Sequence, residues 1–221
     1  MGKMAKVKIC GLTNENDVEM CVRHGADIIG FVVDYPRPVP WNIDAKTAKR
    51  LAANIPRPFE SCIVTGGSPD KITGLVLDIA PDYVQLHSGE TMEDTAILAD
   101  RFKNCGTKII KTIFPNTPDL EKTAAKFCGA GIYALLFDPR TPENAATGGT
   151  ANLSDFVRLK NAANCPVILA GGITPENAAE TIERSGAEII DLMTGVEKSP
   201  GQKDEEKVKL LFENIKGGKK Q

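Results

Sequence analysis

Short β-branched runs alternate with longer, charged amphipathic stretches eight times along the chain. Strands are expected at 7–10, 28–33, 60–64, 83–86, 108–113, 132–137, 166–169 and 188–192, and helices at 14–24, 45–54, 69–79, 92–103, 119–127, 153–163, 175–185 and 205–215. Strict strand–helix alternation is the pattern of parallel βα architecture, because parallel neighbours need a crossover and a helix supplies it. Eight even units in 221 residues predict one domain, a closed (β/α)8 TIM barrel over 1–221, with 1–5 and 217–221 as loose tails. The rival is an open doubly wound sheet, but no G-x-G-x-x-G follows the first strand and no second domain remains. Punctuation agrees with the barrel. Ser68-Pro69 and Thr174-Pro175 pair an N-cap with proline at the first helical position, and Gly25 and Gly186 sit where a glycine C-cap belongs.

Charge excludes some partners. Lys and Arg number 27 against 29 Asp and Glu, so no net field recruits nucleic acid or an anionic membrane surface. No apolar run reaches the roughly 18 residues needed to span a bilayer. The N-terminal residues lack the apolar region of a signal peptide, and a cytoplasmic protein is expected. The six cysteines (10, 21, 62, 105, 128 and 165) form no C-x-x-C and have no histidine at metal spacing. They predict a reducing compartment, no structural disulfide and no metal site. The partner expected is a small phosphorylated substrate. A barrel of this size can work as a monomer or homodimer.

In a βα barrel, chemistry sits at the C-terminal ends of the strands and in the loops that follow. Those positions hold Lys8, Cys10 and Gly11; Asp34, Arg37 and Trp41; His87; Lys111; Asp138 and Arg140; Gly171 and Gly172; and Asp191, Thr194 and Gly195. Gly171-Gly172 and Thr194-Gly195 end the seventh and eighth strands. The loops there form the recurrent phosphate site of barrels, where glycine lets backbone N–H groups approach the oxygens. Cys10 ends the first strand and points into the mouth. Asp138 follows Leu135-Leu136-Phe137, where a carboxylate is costly unless solvated or functional. A base and an acid facing each other across a substrate suit a proton-shuttling isomerase. His87 is either a ligand contact or a hydrogen-bonded rim histidine. Lys8 shares strand parity with Cys10, and an ion pair with Asp191 inside the barrel is expected. His24, beside a helix C-terminus, compensates its dipole. Arg37 or Lys111, whichever faces the mouth, would meet a substrate carboxylate.

These motifs, in order, resemble the phosphoribosylanthranilate isomerase family of tryptophan biosynthesis over essentially the whole chain. They are Lys8-Ile9-Cys10-Gly11-Leu12-Thr13, Gly30-Phe31-Val32, Val84-Gln85-Leu86-His87, Leu136-Phe137-Asp138, Gly148-Gly149-Thr150, Ala170-Gly171-Gly172-Ile173-Thr174-Pro175-Glu176-Asn177 and Gly195-Val196-Glu197 with Pro200-Gly201-Gln202-Lys203-Asp204. The resemblance implies an Amadori rearrangement without metal or organic cofactor. Asp138 would protonate the ribose ring oxygen, and Cys10 would take the proton from the sugar C2. The chain departs from the family at the loop after the second strand, where Trp41 stands at the position of a substrate-holding arginine and Arg37 is the candidate replacement. Met193 stands where a small residue is usual, Ser88 follows His87, and the family's G-x-G-K loop reads Gly149-Thr150-Ala151-Asn152. Two other readings compete: a paralogous barrel for a different phosphorylated amino-sugar or aldose, and a non-catalytic phosphate-ligand-binding barrel. A sensor would have no use for an opposed acid and base.

Overall fold

A computed structural model describes residues 5–139 and 149–217; Arg140, Gly148 and most of the two expected tails lie outside the described residues. Eight parallel strands form the barrel: β1 (Lys6–Ile9), β2 (Ile28–Val33), β3 (Glu60–Thr65), β4 (Tyr83–Leu86), β5 (Lys108–Ile113), β6 (Ala134–Phe137), β7 (Val167–Ala170) and β8 (Ile189–Leu192). Each strand pairs with its sequence neighbours, and β1 closes the ring by pairing with both β2 and β8. The helices α1 (Glu15–His24), α2 (Ala45–Ala53), α3 (Pro69–Ile79), α4 (Met92–Phe102), α5 (Leu120–Gly129), α6 (Leu153–Ala162), α7 (Ala178–Ser185) and α8 (Glu205–Gly217) follow the strands in turn. Among the described residues no helix is long and apolar enough to cross a membrane.

Strand alternation sorts the core into tiers. One set of side chains, including Val7, Ile9, Ile29, Phe31, Ile63, Val84, Leu135 and Leu169, packs between sheet and helices. The opposite set, including Ile28, Cys62, Tyr83, Ile110, Leu136 and Ile168, fills the lumen, so the barrel is a packed core rather than a pore. Above it Cys10, Val32, Tyr35, Trp41 and Val64 form a separate apolar cluster.

Local chemistry fixes most boundaries. Ser68 caps α3 with Pro69 in the first turn, and Gly25 and Gly186 end α1 and α7 in the left-handed region at φ 102° and 61°. Both glycines donate their N–H groups back to the last turn of the helix. The start of α7 differs from expectation. Thr174-Pro175-Glu176-Asn177 forms a separate turn, with Asn177 Oδ1 accepting from Thr174 N at 2.8 Å and Asn177 Nδ2 donating to Gly172 O at 2.9 Å. The asparagine therefore ties the turn back to the glycine loop, and the helix begins at Ala178.

The expectation of no disulfide is corrected. Cys128, in the last turn of α5, is bonded to Cys165, just before β7, with the Cα atoms 5.7 Å apart. The two are separated by 37 residues, and adjacent βα units bring them together. No local spacing motif could register that. His24 does lie in the last turn of α1, where it also meets Glu205 Oε1 at 3.3 Å.

Candidate active site

Alternation along β1 turns Lys8 and Cys10 inward. In the β1–β8 register Lys8 lies directly opposite Asp191. Lys8 Nζ meets Asp191 Oδ2 at 2.9 Å, and both residues are buried. Burial works against the ammonium charge, but the Asp191 carboxylate outweighs it and holds Lys8 above the usual lysine range. The expected ion pair is therefore part of the lumen, one pleat below the cysteine.

Cys10 is 5% exposed, and its backbone N–H donates to Leu192 O at 2.8 Å. A Cβ on Gly30 would stand 2.9 Å from its sulfur, so the glycine of β2 makes room for the thiol. Burial pushes the Cys10 thiol up; Lys8 pulls it down and Asp191 pushes it up again, leaving it above the ordinary range.

Above Cys10 opens a cleft walled by Val32, Tyr35, Val39, Trp41, Val64 and Met193, with Gln85, His87 and Asp191 as its polar lining. Trp41 reaches it because the short strand Asn42–Ile43 extends the sheet beside the end of β2, pairing Val32 with Asn42 and Val33 with Ile43. Its indole N–H donates to Glu197 Oε1 at 2.8 Å. Gly11, at φ 74°, packs beneath, where a Cβ would lie 2.9 Å from Met193 Sδ and 3.0 Å from Trp41 Cδ1.

A second pocket adjoins the first and shares Asp191 and Met193 with it; Gly149, Thr150, Gly171, Gly172, Ile173, Thr194 and Gly195 complete its wall. Three loops meet here closely enough to require glycine. A Cβ on Gly195 would stand 2.0 Å from Ile173 O, and one on Gly172 would stand 2.7 Å from Thr150 Oγ1. Gly171 and Gly172 also adopt φ of 94° and 71°, where side chains are strained. After β8 the chain turns through a single 3₁₀ turn, Thr194–Val196. The four glycine-loop residues expected to form a phosphate site thus line one pocket.

Asp138 is fully buried at the end of β6, and its N–H donates to Ile113 O at 3.2 Å. It lines neither of the two cavities; His87, which lines the cleft, has its Nε2 3.9 Å from Asp138 Oδ2. His87 Nδ1 lies 3.0 Å from both Gln85 Nε2 and Thr112 Oγ1. Tyr35 and Phe114 approach the imidazole ring edge-on. Lys111 points the other way. It packs outside the barrel against Glu90 at 3.3 Å and over the Phe127 ring, where burial pushes its ammonium down despite Glu90. Arg37 is exposed on the loop that carries Trp41. Neither cation lines the cleft, and no lysine or arginine among the described residues does.

The structure therefore groups Cys10, His87 and Asp191 at one cleft, with the four glycine-loop residues in the adjoining pocket. The cleft also uses Gln85, Tyr35 and Met193, which the sequence did not single out as site residues. Gln85 carried a signal, a polar side chain inside an otherwise apolar strand. Tyr35 carried none, and Met193 stood out only as a bulky residue where a small one is usual.

Residues 7–214 match the family model described as N-(5′-phosphoribosyl)anthranilate (PRA) isomerase. The chain is 35% identical over 206 residues to the N-(5′-phosphoribosyl)anthranilate isomerase of Halobacterium salinarum, covering 91% of each. Its fold is similar to the crystal structure of phosphoribosyl anthranilate isomerase from Thermotoga maritima, with TM-score 0.83 and 30% identity over 97% of this chain and 100% of that one. A second crystal structure is of the same enzyme type in complex with reduced 1-(o-carboxyphenylamino)-1-deoxyribulose 5-phosphate. It aligns with TM-score 0.80 and 28% identity, again over 97% and 100% of the two chains.

Proposed function

The chain belongs to the N-(5′-phosphoribosyl)anthranilate isomerase family, and we propose that its two joined cavities hold the substrate's two ends while Cys10 and Asp138 move the protons between them. The reaction is an intramolecular isomerisation in tryptophan biosynthesis. The observation that carries the assignment of roles is the adjacency of the cavities. A glycine-lined pocket fit for a phosphate shares Asp191 and Met193 with an aromatic cleft that has a thiol at its floor. A ribose bridging the two would lie over Cys10 with its phosphate among the backbone N–H groups of Gly172, Thr194 and Gly195. The anthranilate ring would lie between Trp41, Tyr35 and Met193.

Chemistry then follows from charge. Asp138 gives its proton to the ribose ring oxygen. The C1–O bond breaks, the anilinic nitrogen lone pair forms C1=N, and a cationic Schiff base results. That cation acidifies the C2 hydrogen. Cys10, as thiolate, takes the proton; the C2–H electrons form C1=C2 and the nitrogen recovers its pair, giving the enolamine that tautomerises to the 1-deoxyribulose ketone. Lys8 and Asp191 beneath Cys10 set the potential at the sulfur. Arg37, at the rim, is our candidate for the anthranilate carboxylate.

Purified protein mixed with freshly made phosphoribosylanthranilate should accelerate the decay of its fluorescence. No acceleration above the spontaneous rate would remove this reading and favour a ligand-binding barrel.

A further inference from the structure

Gln85 ends up in an arrangement the mechanism above leaves unused. It is 2% exposed, lines the cleft, and spends its amide N–H on His87 Nδ1 at 3.0 Å. Its Oε1 is buried with no hydrogen-bond partner among the described residues. A buried carbonyl without a donor costs free energy in the resting protein, and the side chain that carries this one lines the cleft where the substrate's aryl end is expected.

The orientation of the amide follows from its neighbour. His87 turns Nε2 toward the Asp138 carboxylate at 3.9 Å. While Asp138 is ionised, before it takes up the proton it gives to the ring oxygen, a lone pair on Nε2 would repel it, so in that state the proton belongs on Nε2 and Nδ1 accepts. An acceptor at Nδ1 requires a donor from Gln85, which is its Nε2. Flipping the amide would set two acceptors against each other or move the imidazole proton away from Asp138.

We infer that Gln85 contacts the substrate: its Oε1 accepts a hydrogen bond from an N–H or O–H donor of the bound phosphoribosyl-arylamine, while its Nε2 fixes the His87 tautomer that faces Asp138. This rests on the substrate reading given above. The donor is either the anilinic N–H or a sugar hydroxyl. Both share the chemistry of a donor held near Cys10, and both become anchored when Oε1 gains its partner. Binding then gives the unsatisfied acceptor of the free enzyme its partner, so the contact favours the complex.

The test separates this role from a structural one because the two predict different stabilities. Gln85→Leu keeps the volume roughly and deletes both the orphaned acceptor and the bond to His87 Nδ1, whose donor Thr112 Oγ1 at 3.0 Å can replace, so thermal stability should hold. Affinity for the reduced 1-(o-carboxyphenylamino)-1-deoxyribulose 5-phosphate analogue should fall about 10-fold or more, and affinity for inorganic phosphate should not change. Gln85→Glu keeps an acceptor but removes the donor. Nitrogen NMR of His87 should then show the proton moved to Nδ1, with analogue affinity less affected than in Gln85→Leu. An analogue methylated on the anilinic nitrogen identifies the donor. If it binds parent and Gln85→Leu alike, the donor is the N–H; if the gap persists, it is a hydroxyl. Equal binding of the unmethylated analogue to parent and Gln85→Leu overturns the inference alone, as does a Gln85→Leu protein whose stability falls in step with affinity. A parent protein that binds no analogue overturns this inference and the substrate reading together. Should Gln85→Leu fail to fold, Gln85→Met is judged by the same outcomes.

Discussion

Trp41 and Glu197 are joined by a 2.8 Å hydrogen bond from the indole N–H to Oε1, and the same oxygen accepts from Lys203 Nζ at 2.8 Å. Lys203 also donates to Met193 O at 3.2 Å. One buried ion pair thus anchors two walls of the aryl cleft. Trp41→Ala should raise KM on the order of tenfold and lower kcat less, because the ring binds substrate and transition state alike. Trp41→Phe should recover part of that loss. Steady-state kinetics decide it; an unchanged KM in Trp41→Ala would put the aryl group elsewhere.

Gly172→Asp and Gly195→Ala should both weaken phosphorylated ligands. The first adds a charge and a Cβ 2.7 Å from Thr150 Oγ1, and the second a Cβ 2.0 Å from Ile173 O. Calorimetric titration with the product analogue and with inorganic phosphate reads the loss. Parental affinity in Gly172→Asp would place the anion outside the glycine pocket.

Cys10→Ala and Asp138→Asn should each reduce kcat by about 10²–10⁴, the usual cost of a missing general acid or base. Analogue affinity should stay near parental, since the phosphate is held in the other cavity. Near-parental turnover in Cys10→Ala would take the thiol out of the mechanism.

The pH dependence follows from the direction of the Cys10 shift. Burial holds the thiol above its ordinary range, and the reaction needs the thiolate. Once the Schiff base has formed and Asp138 has given up its proton, each unit of pH increase through neutrality should raise the C2 proton-abstraction step about tenfold. Overall turnover, which also needs protonated Asp138, should level off between the two groups; a C2-deuterium-sensitive step that does not rise with pH would contradict the base assignment.

Asp82 offers a stability test far from the chemistry. Burial pushes its carboxyl up, but Ser61 N at 2.8 Å, Ser61 Oγ at 3.0 Å and Arg57 at 2.6 Å all donate to it and leave it below the usual range. A depressed folded value stabilises the protein above the unfolded value of roughly 3.9 and is lost as pH falls through the folded one. Asp82→Ala should cost about 1 kcal/mol, roughly 2–4 °C in Tm at neutral pH. The gap from the parent should close as the medium is acidified; a gap constant down to low pH would mean Asp82 acts by packing alone.

The amino-acid sequence by itself determined the barrel. Two periodicities, alternation in the strands and amphipathic spacing in the helices, repeat in strict order, and each is a local property of a few residues. Local chemistry also exposed Asp138, a carboxylate ending an apolar run, and the glycines after β7 and β8, whose sequence positions already place them on neighbouring loops. The inward parity of Lys8 and Cys10 was legible for the same reason.

Only the tertiary structure decided what the loops do to one another. Lys111 faces outward to Glu90 because the register of β5 assigns the lumen to Ile110 and Thr112. Trp41 becomes a wall because a two-residue strand pairs beside β2 and Glu197, 156 residues away, accepts its indole N–H. Cys128 meets Cys165 only because adjacent units pack, and His87 comes within 3.9 Å of Asp138 only because the barrel brings the ends of β4 and β6 together. Each of these is a contact between elements, set by ring closure and loop packing, and no periodicity within a single element encodes it.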